Sequence, residues 1–309
     1  MTGIAILIVV ITVISVQLLD QREEPWVKRI LNWLPAILFA YIIPAICTHT
    51  FGLDLSAGPI HRWSRDLIIP LALLMVMSAL SFRQLKLIGV RPIVVFVSGS
   101  AAVATLPLVL VMAFKWADPG SYTLIIEEGY WKGLVPIVGS WIGGSTSQLV
   151  LKEVVACPEG LFLTILVLDN ILINIWTILM FQAIKRSDQL NHLLGIRDPA
   201  PDLVADETPF RAMSVRTVLP TLLISALCIV LVGLLVDAFL AKVIIFSVLG
   251  LVLGNALRFW HHGFVLKAGG LCIVLIMAIL GLKLDFSSIS IPSVIVLFAV
   301  IWLLLHYVV

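Results

Sequence analysis

Apolar residues in this chain run in long blocks, without the two-residue alternation of half-buried strands. Blocks near the length of a membrane-spanning helix, about 17–25 residues, recur near 2–19, 30–48, 67–82, 92–114, 132–155, 161–184, 215–239, 242–257, 264–284 and 291–309. Lipid offers no hydrogen bonds, so each block must satisfy its own backbone N–H and C=O groups, which predicts helices. The pattern predicts an all-α polytopic membrane protein with about ten transmembrane helices. The first block follows no Lys or Arg and precedes no small-residue cleavage site, so it is a first membrane helix and not a cleaved signal.

One long polar stretch, 185–214, breaks the pattern and carries Pro199-Ala200-Pro201 and a cluster of acids. It divides the chain into a first membrane repeat at 1–184, a polar cytoplasmic linker at 185–214 and the start of a second repeat at 215–309; an ordinary large loop predicts the same composition. The repeat rests on residues 71–96, which align without gaps on 271–296 at an offset of 200. Leu71/Leu271, Met77/Met277, Leu80/Leu280, Pro92/Pro292 and Val94/Val294 are identical, and Arg83 faces Lys283. An apolar run, a small residue, a cation and a helix-starting proline follow in the same order in both. Ten segments place six crossings between the two stretches, which predicts parallel repeats. The first unit continues into a glycine-rich segment at 136–150, whose counterpart falls beyond Val309. The second repeat is thus incomplete, and the natural protein is expected to continue for roughly another 75–100 residues.

Composition sharpens this picture. Hydrophobic residues make up 61% and charged residues 12%, against about 45–50% and about 25% in soluble domains. A mean hydropathy of +1.13 leaves too little polar surface for a soluble enzyme and excludes a disordered chain. The net charge of +2 comes without a basic, aromatic-interleaved stripe, so no nucleic-acid partner is expected. Cys47, Cys157, Cys228 and Cys272 show no CxxC spacing and are small core residues. Lys and Arg number 11 on one set of alternate loops and 8 on the other. The richer set includes the linker, which places the N-terminus inside. Trp26, Trp33, Trp63, Trp116, Trp131 and Trp260 lie near segment ends as interfacial anchors, and Arg83, Lys242, Lys283 and Asp285 lie there as snorkelling charges.

The segment 132–156, KGLVPIVGSWIGGSTSQLVLKEVVA, is ill suited to an unbroken helix. It holds Pro136, Gly139, Gly143 and Gly144, and a glycine costs a helix interior about 1 kcal/mol and a proline about 3 kcal/mol relative to alanine. A broken helix at 132–156, with half-helices at 132–142 and 147–156, accommodates the cluster. The gap then exposes Gly143, Gly144, Ser145, Thr146, Ser147 and Gln148 to a cavity. Backbone carbonyls and hydroxyls suit a cation such as sodium, and the second half-helix N-terminus suits an anionic group. The alternative is plain helix packing through the Gly139/Gly143 GxxxG face. The next block carries Asp169 near its centre, beside Asn170, Asn174 and Thr177 on one helical face. A carboxylate at that depth costs about 2.5–3.5 kcal/mol on insertion scales. Asp169 is therefore neutral, paired or ion-bound, a candidate sodium ligand or proton carrier; a structural hydrogen bond between helices is the alternative.

GSWIGGSTSQLVLKE followed by a helix carrying LDN resembles the YjcL-like membrane family (domain of unknown function 819), over the whole chain. That family is distantly similar to sodium/proton antiporters and to bile-acid and glutamate sodium symporters. The resemblance implies a transporter-like core in which Asp169 and Asn170 stand where those antiporters hold an Asn-Asp or acidic pair, with the acid first here. Inverted repeats, sodium or protons as coupling ions, no other cofactor, a homodimer and a bacterial cytoplasmic (inner) membrane location are further implications.

Together these observations lead to a secondary active transporter of a small, anionic or amino-acid-like solute, coupled to sodium or protons. Its substrate and ion site comprises Gly143, Gly144, Ser145, Thr146, Ser147, Gln148, Asp169, Asn170 and Asn174, and the bilayer is its constant partner. An enzyme is not expected, since no HExxH motif, second membrane aspartate or mid-helix histidine accompanies the serines. A non-transporting subunit or receptor that retains the fold is the alternative function.

Overall fold

The computed structural model describes residues 1–33, 35–83, 89–193, 195, 215–284 and 292–308. Most of the polar linker, with Asp285, lies outside the described residues. Regular structure among the described residues is helical: α1 (Thr2–Asp20), α2 (Pro25–Trp33), α3 (Ala36–Thr50), α4 (Pro59–Trp63), α5 (Ile69–Ser78), α6 (Val90–Ala117), α7 (Pro119–Ile126), α8 (Trp131–Val154), α9 (Glu159–Lys185), α10 (Ser187–Leu193), α11 (Val215–Leu235), α12 (Phe239–Ala256), α13 (His262–Gly281) and α14 (Ser293–Val308).

Seven of these helices are long and apolar enough to cross a membrane, or eight if the bent α2–α3 pair counts as one span. Ten were expected. Two of the shortfalls have local causes. The block around 67–82 is split by a π-helical turn at Ser64–Ile68 just ahead of Pro70. Proline has no N–H for the carbonyl one turn back, and the wider turn absorbs the misfit. The last block forms a helix of 16 residues, about 24 Å long against a hydrocarbon core of about 30 Å. Prolines also start α4 and α7, where a missing N–H costs nothing. Asp118 caps α7 by accepting from the Ser121 N–H at 3.3 Å and from its hydroxyl, which holds the Asp118 carboxyl below its usual range.

Helix faces turned away from the core are apolar. On α6, Val94, Val95, Phe96, Val97, Leu108, Val109 and Met112 are all exposed. Water does not tolerate apolar surface on this scale, whereas a bilayer requires it. The chain is an integral membrane protein.

The helices gather around two cores. In one, α3, α5, α12 and α13 meet through Tyr41, Leu74, Phe246, Ile276 and Met277, flanked by α1 and α11. In the other, α6, α7, α9 and α14 meet the first part of α8 through Val103, Ile125, Ile137, Ile165 and Phe298. Helices α8 and α9 serve both: Leu149, Val150, Phe162 and Leu166 enter the first core, and Leu134, Ile137, Ile165 and Leu172 the second. The first core is tight enough to require glycine. A methyl group at Gly281 would overlap the Tyr41 carbonyl, and one at Gly254 the Ser78 carbonyl. The two stretches with similar sequence lie face to face, α5 on α13 and α6 on α14. Two positions read as exposed segment ends are interior: Lys242 is 7% exposed and Trp260 5%.

Candidate functional site

The segment 131–154 leaves helical geometry at Gly144, where φ is 71° and ψ is −168°. That backbone region is essentially glycine-only. The consequence is larger than a kink, as the contacts on either side show. The first arm starts beside the start of α9: a Cβ at Gly133 would lie 2.9 Å from Ile165 and 3.0 Å from Leu161. It then runs along α9 in the same direction, until Trp141 Nε1 donates to Asp169 Oδ1 at 2.7 Å. Beyond Gly144, Gln148 Nε2 donates to Asp169 Oδ2 at 2.9 Å. One turn later, Lys152 Nζ donates to Glu159 Oε1 at 2.7 Å, back at the start of α9. Gly139, on the outward arm, accordingly faces the returning arm, its Cβ position 3.3 Å from the Ser147 carbonyl. An unbroken 24-residue helix would be about 36 Å long. The contacts of both arms instead fall on the same stretch of α9, between Glu159 and Asp169, in the manner of a hairpin.

Asp169 is thereby clamped at the hairpin's tip. The residue is 4% exposed and its carboxylate accepts from both arms. Among the described residues the ion pairs involve other groups, so its charge meets neutral donors only. Of the residues expected at the site, Gln148 and Asp169 come together directly. Gly143 and Gly144 are exposed at the tip, and Ser145, Thr146 and Ser147 are half-buried there. Asn170 and Asn174 lie on α9 close by, but the Asn174 amide donates to the Asn170 carbonyl of its own helix at 2.9 Å. Thr177 likewise bonds back, to Ile173.

Two groups escaped the sequence reading. Trp141, the donor to Asp169, belongs to an aromatic cluster with Trp176, Trp302 and His306. The His306 ring stacks on Trp176 with centroids 4.4 Å apart and meets the edge of Trp141 at 5.1 Å. Trp302 Nε1 and His306 Nδ1 are buried without a hydrogen-bond partner among the described residues. Their only sequence signal is the i, i+4 spacing of Trp302 and His306, which apolar surroundings made inconspicuous.

The second group is a buried charge network at the hairpin's base. Lys152 is 4% exposed and bonds to Glu153 as well as Glu159. Tyr41, reaching across from α3, donates its hydroxyl to Glu159 Oε2 at 2.9 Å. Beside it, burial pushes the Cys157 thiol up to about 12, and all four cysteines are free. The adjacent pair Lys152-Glu153 near a helix end was the available signal.

Comparison with curated proteins and with solved structures returns no match. A family model does match, and it covers residues 5–309. This chain, with its hairpin against an aspartate-bearing helix, belongs to the family described as Protein of unknown function (DUF819).

Proposed function

We propose that this chain is a secondary transporter that moves a small, anionic or amino-acid-like solute coupled to sodium or protons. One observation carries the reading: both arms of an interrupted helix donate to a single buried carboxylate, Asp169, from either side of Gly144. Intramembrane carboxylates are costly and mark ion or proton paths. Irregular backbone at membrane depth is tolerated where it is covered by protein or lines a cavity. In this scheme Asp169 takes a cation or a proton. Trp141 and Gln148 hold its two oxygens, and Gly143 through Ser147 present carbonyls and hydroxyls at the tip. The body built on α6, α9 and α14 then moves against the glycine-locked body built on α3, α5, α12 and α13.

The hairpin also bears on the repeats. A segment that begins and ends at one level adds no crossing, so the interval between the paired stretches drops from six crossings to five and the units become inverted. The packing supports a two-fold relation: α3 lies on α13 as α12 lies on α5, and α1 lies on α13 as α11 lies on α5. With that path, 13 of the 20 Lys and Arg fall on the side of the 185–214 linker and 7 on the other. The linker stays cytoplasmic and the N-terminus moves outside, the reverse of the orientation expected from ten straight crossings. Reporter fusions in a bacterial inner membrane check this. A periplasm-dependent enzyme should be active when fused ahead of Thr2 and inactive when inserted in 196–214; the opposite pattern rejects the hairpin topology.

The mechanism is tested by thermal unfolding of the purified full chain in sodium against choline, across pH, with Asp169→Asn alongside. An ion at 100 times its dissociation constant adds about 2.7 kcal/mol, so sodium coupling should raise the midpoint by about 5 °C and the variant should lose the rise. Proton coupling instead predicts no sodium effect and a pH dependence that Asp169→Asn flattens. If neither appears, Asp169 is structural and the chain is a non-transporting subunit or receptor with this fold.

A further inference from the structure

A cleft of about 620 Å³ opens at the base of the hairpin, away from Asp169. Its walls come from both bodies: Glu128 and Lys132 lead into α8, Glu159 begins α9, and Lys283 follows α13. Charges of both signs therefore converge on one concavity. Glu159 is already satisfied, holding Lys152 on one oxygen and Tyr41 on the other. Lys132, Lys283 and Glu128 take part in none of the ion pairs formed among the described residues.

The start of α9 adds donors to the same wall. Pro158 stands at its N-cap without a side-chain cap. The first N–H to bond back is that of Phe162, to the Pro158 carbonyl at 2.9 Å. Helix geometry leaves the N–H groups of Glu159, Gly160 and Leu161 without intrahelical partners. Glu159, Gly160 and Leu161 all line the cleft. Two lysines with such donors recognise a carboxylate. Glu128, in the same lining, recognises an ammonium group.

We propose that this cleft binds a small zwitterion with a free carboxylate and a free amino group, an amino acid or short peptide, before it reaches Asp169. The volume lies within the roughly 300–1,000 Å³ of small-molecule sites. The carboxylate lies between Lys132 of one body and Lys283 of the other, so the solute touches both halves of the seam that Tyr41 and Glu159 close. Its role as an outer waiting site rests on the transporter reading above; the binding itself does not.

Thermal unfolding of the full chain tests this with L-leucine, L-glutamate, L-lysine and L-alanyl-L-alanine as probes, each beside its N-acetylated and its C-amidated form. At least one free zwitterion should raise the midpoint by about 5 °C at saturation, and neither blocked form should. The Lys132→Gln/Lys283→Gln double variant should lose that rise, the Lys132→Arg/Lys283→Arg variant should keep it, and Asp169→Asn should leave it intact. No response to any free probe, an equal response to a blocked form, or a response retained in the double Gln variant each overturns the cleft assignment. A zwitterion response accompanied by neither a sodium rise nor an Asp169-dependent pH effect in the unsubstituted chain overturns the Asp169 reading alone.

Discussion

Replacing Gly281 or Gly254 with alanine is expected to destabilise the protein by about 3 kcal/mol or more, at or above the upper end of overpacking penalties. One methyl group suffices, because each would meet a backbone carbonyl and not the movable end of a side chain: Tyr41 for Gly281, Ser78 for Gly254. The Tyr41 carbonyl lies inside α3 and cannot withdraw without disturbing its ladder, and Ser78 would meet the methyl at Gly254 with its carbonyl carbon and Cα as well as its oxygen, so the helices must separate. Gly270 is the internal control. It lies on the same helix as Gly281, and a methyl there meets nothing within 4 Å. Gly270→Ala should stabilise by up to about 1 kcal/mol through helix propensity alone. Unfolding midpoints of the three variants in one detergent settle the matter. Gly281→Ala unfolding together with Gly270→Ala would show that α3 and α13 are not locked.

Removing Lys152 should cost nearly as much. It is buried between Glu153 and Glu159, and stripping one partner from a buried ion pair costs about 3–5 kcal/mol, because the remaining charge is left without compensation. Lys152→Met is therefore expected to be strongly destabilising, and Lys152→Met combined with Glu159→Gln much less so than the two single effects summed. Coupling of about 0.5–3 kcal/mol is the usual range for residues in contact. Additive single effects would mean that the pair makes no net contribution. Tyr41→Phe extends the test, since it removes the hydroxyl that joins α3 to Glu159 and leaves the ring on Phe162.

These effects divide between what is local and what is not. Helical class and membrane location follow from apolar run length, because the bilayer enforces backbone satisfaction within each segment. The interruption was legible for the same reason. Gly143, Gly144 and the hydroxyl run after them weaken any helix they occupy, and the non-helical backbone falls at Gly144. Asp169 was legible because a carboxylate at that depth is costly anywhere. Gln148 came with the hydroxyl run, and it is the member of that run whose side chain reaches Asp169.

Which way the chain leaves Gly144 was not legible. A positive φ allows a kink or a reversal, and the choice is made by partners on another helix. Lys152 finds Glu159, Gly133 lies against Ile165, and both arms converge on Asp169. Tyr41 meets Glu159 across 118 positions of sequence, and Trp302 meets Trp141 from a helix near the other end of the chain. No periodicity encodes such pairs, because the short-range pattern of an apolar helix is the same whichever neighbour it packs against. The sequence by itself determined the solvent, the element type, the weak point and the costly charge. The tertiary structure alone decided which residues of α9 the two sides of that weak point meet, since these are contacts between residues that only folding brings within reach.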